Sequence, residues 1–211
     1  MIGLAAYGAM LLWMGLMTPT DRLRDIFSEQ GPFERLSVVF WVGLAAIALV
    51  ARRPLTLGAV CGAYVALCCA ARELDWHKAF TDYSVLKPKF YFKADQPLDA
   101  RMIAGVIVAG LGVSAAVLTL GLLRRLRREG RPVRPWALVS AMGLALLVGT
   151  KLLDRSTGMV QDLLGHDLSD SVRDIIVSFE EGMEMALPVI FSVAVLSIRR
   201  CAAGCEVVRR A

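Results

Sequence analysis

The stretch Ile175-Ile176-Val177-Ser178-Phe179-Glu180-Glu181-Gly182-Met183-Glu184-Met185-Ala186-Leu187-Pro188-Val189-Ile190-Phe191-Ser192-Val193-Ala194-Val195-Leu196-Ser197-Ile198-Arg199-Arg200 decides the fold of this chain. From Ala186 to Ile198 it carries no charge, and Arg199 and Arg200 then stop it. That uncharged part makes about 20 Å of helix, whereas a bilayer core is about 30 Å thick and takes roughly 20 residues to cross. A spanning helix therefore begins near Ile175 and draws at least Glu181 and Glu184 into the hydrocarbon. A charged residue at a helix centre costs about 2.5–3.5 kcal/mol on an insertion scale, against about 4–5 kcal/mol gained by the apolar part of this segment. Two deep acids cancel most of that gain. The helix needs neighbours, protons or a bound cation, and intramembrane carboxylates are by default candidates for a functional site.

The rest of the chain agrees with a membrane setting. It is 56% hydrophobic, with a mean hydropathy of +0.57, well above a soluble domain of this size. Apolar runs at about 2–17, 36–51, 55–71, 102–123, 136–153 and 175–198 predict an all-α polytopic transmembrane helical bundle of about six spans in a single integral membrane domain, residues 1–211. The first run starts at Met1 with no basic flank, and Thr18-Pro19-Thr20-Asp21 offers no small-residue cleavage site, so the first helix is expected to be retained.

A net charge of +5 raises the question of nucleic acid, and the distribution answers it. Arg52-Arg53, the segment Arg124 to Arg134 and the tail Arg199 to Arg210 hold the basic clusters, and in a six-span arrangement all fall on one side. Short Arg-rich loops mark the cytoplasmic face, which places both termini in the cytoplasm. Arginine here sets orientation and meets anionic lipid; a nucleic-acid partner is not expected. The five cysteines lack zinc-ligand spacing, and Cys61, Cys68 and Cys69 read as small packing residues in the third span.

Ionisable residues gather at the opposite end. The third span delivers Glu73, Asp75 and His77, the fifth Lys151 and Asp154, and the sixth Glu180, Glu181 and Glu184, with Glu34 at the head of the second. If the third helix runs on past Glu73, Glu73 and His77 share a face, as do Glu180 and Glu184. Glu73, His77, Asp154, Glu181 and Glu184 are the candidate ligands for a divalent cation. Lys151 is the candidate internal counter-ion for Glu181 or Glu184. Pro188 lies four residues after Glu184 and leaves its carbonyl without the usual helical donor, a candidate helix break. In the long loop Glu73 to Arg101, Lys87, Lys89, Phe90, Tyr91, Phe92 and Lys93 alternate ammonium groups and rings in the manner of a lipid-interface segment, and Pro88 forbids a helix running through it. Arg72-Glu73-Leu74-Asp75 and Lys151-Leu152-Leu153-Asp154 close two hairpins in a similar way, which predicts a duplication with Asp75 and Asp154 equivalent.

Glu29-Gln30-Gly31-Pro32-Phe33-Glu34, Arg72-Glu73-Leu74-Asp75-Trp76-His77-Lys78 and Glu180-Glu181-Gly182-Met183-Glu184 together resemble a loose group of small bacterial polytopic inner-membrane proteins without an assigned activity. The resemblance implies a bacterial cytoplasmic (inner) membrane location and one site formed by these positions; it implies no reaction. A comparison with alkaline-ceramidase-like membrane hydrolases, which hold metal ligands among transmembrane helices, meets only two histidines in this chain. Three functions remain open: a membrane partner or assembly subunit held by internal ion pairs, a metal-dependent hydrolase or transferase acting on lipid, and a proton- or cation-coupled carrier component. Membrane lipids and other membrane proteins are the expected partners. No HExxH, GxSxG or CxxC motif selects an enzyme class.

Overall fold

The computed structural model describes residues 2–27, 31–51, 55–76, 85, 88–92, 97–129, 135–164 and 169–210. These residues form helices and no strands: α1 (Ile2–Met17), α2 (Thr20–Phe27), α3 (Pro32–Val50), α4 (Leu57–Glu73), α5 (Pro88–Phe92), α6 (Leu98–Glu129), α7 (Pro135–Leu164) and α8 (Asp170–Arg210). Four helical stretches, those containing α3, α6, α7 and α8, are long and apolar enough to cross a membrane. The helices α1 and α4 are shorter, at 16 and 17 residues.

Local chemistry explains the helix ends. Pro32 opens α3, where its missing N–H costs nothing. The Thr56 side chain caps α4 by accepting from the Ala59 N–H at 3.3 Å. At the other end of α4, the Asp75 N–H donates to the Arg72 carbonyl at 3.0 Å and the Trp76 N–H to the Ala71 carbonyl at 3.0 Å. With Asp75 at φ 54°, this is a Schellman ending in which aspartate takes the left-handed position usually given to glycine. The helix of the third span therefore stops at Glu73, where the sequence reading let it run on. His77 itself lies outside the described residues.

Other boundaries differ from expectation as well. The segment after the fifth span continues as helix to Leu164. The last helix starts at Asp170, where Ser169-Asp170-Ser171 ahead of Val172 reads in the sequence as a helix start leading into the last span. Ser169 stands before it, its carbonyl accepting from the Arg173 N–H at 3.1 Å. Pro188 does not break α8, which runs through it without interruption; the proline is fully buried. The connection after α1 contains the amphipathic helix α2, with Leu23 and Phe27 buried on its inner face. Pro88 starts the short α5, and Phe90, expected at the lipid interface, is fully buried, leaving Phe92 exposed. Lys87 and Lys93 fall outside the described residues, as does the side chain of Lys89.

The core is built around α8, which packs on α7, α3, α1 and α2. One apolar cluster joins Trp41, Leu44, Ala45 and Ala48 of α3 to Ala63, Ala66 and Ala70 of α4 and Leu187 of α8. The alanines let α3 and α4 approach closely, the usual basis of helix association in lipid. A second cluster joins Leu11 of α1, Leu23 and Phe27 of α2 and Met183 of α8. Here α1 lies close: a Cβ built on Gly182 would sit 2.5 Å from a Leu11 methyl, and one on Gly15 would sit 3.3 Å from Ile175. The Tyr7 hydroxyl also donates to the Gly182 carbonyl at 2.7 Å. The first helix is thus a packed member of the bundle.

Candidate functional site

Met183 and Leu187 belong to the two core clusters, and Glu184 stands between them on α8. The carboxylate is sealed in the bundle, with 8% of the residue exposed. It is the one charged residue buried among the described residues. An isolated carboxylate in such a place is prohibitively costly, and two helices answer it. Lys151 of α7 brings its Nζ onto Oε1. Arg72, in the last turn of α4, brings Nη2 to 3.7 Å from Oε2. The two cationic side chains are 39% and 47% exposed, so their stems lie along the bundle and their heads stay at its surface.

Arg72 lies about 15 residues into α4, Lys151 about 16 into α7, and Glu184 about 15 before the Arg199-Arg200 pair of α8, roughly 22–24 Å of helix in each case. This common depth explains why they meet. Further acids crowd round them. Glu73 is within electrostatic reach of Arg72, Glu184, Glu34 and Lys151. Glu180 interacts with Asp154, Glu184, Lys151 and Glu181, and Glu181 with Glu184, Glu73, Arg72 and Lys151. Glu34, Glu73, Lys151, Asp154, Glu180, Glu181 and Glu184 therefore come together at one end of the bundle. Of these acids, Glu184 is the one that Arg72 and Lys151 both reach as ion pairs.

Not every candidate joins on equal terms. Glu181, expected inside, is exposed on the outer surface of α8, as Asp154 is on α7. Asp75 caps α4 in its left-handed turn. Among the described residues no group of three or more His, Cys, Asp or Glu side chains is placed to hold a metal ion. Both oxygens of Glu184, one of the expected ligands, already face cations, and His77, another, lies outside the described residues. The Ser178 hydroxyl donates to the Asp174 carbonyl at 2.7 Å, an ordinary helical back-bond.

Arg72 is the residue that sequence reasoning left out of the site. Its signal was present in the paired hairpin endings, where Arg72 aligns with Lys151. Both cations touch the same carboxylate. The companion equivalence of Asp75 and Asp154 does not hold, because one lies in a turn and the other inside α7. A separate ion pair, Arg24 Nε to Asp174 Oδ2 at 2.9 Å, fastens α2 across the first turns of α8.

No family model, curated protein or solved structure matches the chain. The reading of function rests on the fold and on this cluster alone.

Proposed function

We propose that the protein is a multi-pass subunit or partner protein of a bacterial cytoplasmic membrane, with six spans, both termini in the cytoplasm and the charged cluster in the outer third of the bilayer. Four long apolar helices support the membrane reading. α1 and α4 complete the six by local bilayer thinning, since about 24–26 Å of helix meets a core of about 30 Å. The Arg-rich runs of the sequence, which a six-span arrangement puts on one side, support the orientation.

The observation that carries the functional reading is the internal neutralisation of Glu184 by cations from two other helices. Such a network ties α4, α7 and α8 into one arrangement and uses the buried carboxylate as its centre. Among the described residues Glu184 is the one buried carboxylate, and both its oxygens face a cation. The acidic remainder faces outward, where another membrane component meets it.

The test is metal content and thermal stability of purified protein in detergent. The expected result is no stoichiometric metal, a lowered unfolding midpoint in Glu184→Gln, and partial recovery when Lys151→Met is added. Stoichiometric divalent metal that disappears in Glu184→Gln would overturn the reading in favour of a metal-dependent enzyme.

A further inference from the structure

The helix α2 is eight residues long. A helix of that length does not persist alone in water, where roughly 12–15 residues are needed. Its folding and its docking are therefore one event, and whatever holds it on the bundle decides both. It rests on α8 and α3. Leu23 and Phe27, one turn apart and both buried, make the apolar part of the contact. They share a cluster with Leu11 and with Met183, the residue before Glu184. Phe27 also meets Phe33 of α3, with ring centroids 4.4 Å apart.

An ion pair crosses the same interface. Arg24 Nε stands 2.9 Å from Asp174 Oδ2, and the two side chains are 57% and 13% exposed. Water and salt reach the guanidinium, so the pair is of the kind that salt weakens. The other charges of these two segments, Asp21, Arg22 and Asp25 on α2 and Asp170 and Arg173 on α8, are exposed, and Asp25 has a partner of its own.

Packing beneath α2 is incomplete. A cavity of about 240 Å³ lies between α2 and α8, lined by Leu23, Arg24, Phe27, Asp174, Val177 and Ser178. Atoms that face a void have no partner on that side and forgo dispersion contacts. Ser178, on the α8 side of the cavity, is 3% exposed. Its hydroxyl donates back to the Asp174 carbonyl, so it gives α2 no hold. Pro19 precedes α2, and Gly31-Pro32 opens the next helix, so the chain breaks its helical course on both sides of this segment. A short element, joined to its neighbour by two apolar side chains, a salt-sensitive ion pair and an underpacked face, belongs to the low-stability end of a fold.

We propose that α2 is a cap that opens and closes over the first turns of α8, with Arg24 and Asp174 as its latch. In the closed form, seen in this structure, Ser178 is covered and Leu23 and Phe27 complete the apolar packing beside Met183. In the open form α2 leaves α8 and loses its helix, and the α8 side of the cavity meets water. The latch sets the balance, because charge reversal at either end turns attraction into repulsion without touching the apolar contacts. The cap stands on the contacts of α2 with α8; only the side of the membrane it faces rests on the orientation proposed above.

The experiment is the rate at which a membrane-impermeant maleimide reacts with Ser178→Cys in the full chain freed of its native cysteines, first in detergent and then in intact spheroplasts. Labelling of a covered position follows the open population. The expected result is slow reaction in this background and a rate about tenfold higher when Arg24→Asp is added, a difference of about 1.4 kcal/mol. Adding Asp174→Arg to Arg24→Asp restores the pair with its charges exchanged and returns the rate to the starting value. Raising the salt concentration speeds reaction at position 178 and leaves Met159→Cys, exposed already, at its own rate. Ala63→Cys, buried between α3 and α4, stays slow throughout. Equal rates in the three backgrounds, or fast reaction at position 178 before the latch is changed, would overturn the cap. So would a parallel rise at positions 63 and 178, which is general loosening of the bundle. A latch effect that holds in detergent, with spheroplasts reacting only after permeabilisation, keeps the cap and overturns the orientation alone.

Discussion

Glu184 concentrates the energetics of the molecule in one side chain. Ion pairs sealed from water give little net stability, because desolvation offsets attraction, yet removing one partner of a fully buried pair costs about 3–5 kcal/mol. Here Lys151 and Arg72 keep roughly half their side chains exposed and can turn to water, which lowers the penalty to about 1–3 kcal/mol. Glu184→Ala is therefore expected to lower stability by that amount in detergent unfolding. In a double-mutant cycle Glu184→Gln and Lys151→Met should be clearly non-additive, whereas Glu184→Gln with Arg24→Ala should add, since Arg24 serves a different acid. Asp75 offers a second test at this scale. At φ 54° the backbone of residue 75 stands where glycine is unstrained, so Asp75→Gly is expected to be the more stable of two substitutions compared with Asp75→Val. Asp75→Val, β-branched in the left-handed region, is expected to lose about 1–2 kcal/mol. Equal stabilities for the two substitutions would mean that the turn is not formed as described.

Among the elements, α8 and α4 show what a sequence discloses and what it withholds. Counting residues against a bilayer singles out the acids of α8, of which Glu184 is buried and paired with Lys151 whereas Glu181 is exposed. The positions of the other apolar helices are equally visible, because hydrophobic runs are local. The end of α4 was not, since aspartate in a left-handed turn has no compositional flag comparable to glycine. Nor was Arg72 as the second counter-ion, since which cation reaches Glu184 depends on how α4 leans on α3, a matter of small residues such as Ala63, Ala66 and Ala70 in tertiary contact. The amphipathic α2 was hidden in a short charged segment that reads as a loop. The contact of α1 with α8 belongs to the same class, and it is testable. A methyl added in Gly182→Ala would meet Leu11 at 2.5 Å, and overpacking of this kind costs about 1–3 kcal/mol. Leu11→Ala in the same chain makes room for it, so the double variant is expected to be more stable than the sum of the single changes predicts. Strict additivity would show that α1 does not rest on Gly182.

At the scale of the whole molecule, the Arg-rich end and the acidic end are related by function as well as by charge. A bundle whose ionic centre is held from three helices at one depth can orient in only one way if the positive-inside rule governs it, because inverting it would carry Arg124, Arg125 and Arg127 across the bilayer. The α7 helix makes the consequence measurable. It begins at Pro135 beside the Arg-rich connection and extends to Leu164 beyond the charged cluster, and Met159 on that extension is 59% exposed. In a cysteine-free background, Met159→Cys is expected to react with a membrane-impermeant maleimide in intact spheroplasts. Arg127→Cys should react only after permeabilisation. Glu184→Cys, enclosed between Met183 and Leu187, should resist both treatments. The opposite pattern for positions 159 and 127 would invert the bundle and move the acidic face to the cytoplasm. Reaction of both positions in intact spheroplasts would mean that α7 does not cross the bilayer between them. Ready labelling at position 184 would remove the buried carboxylate on which the ion-pair network depends.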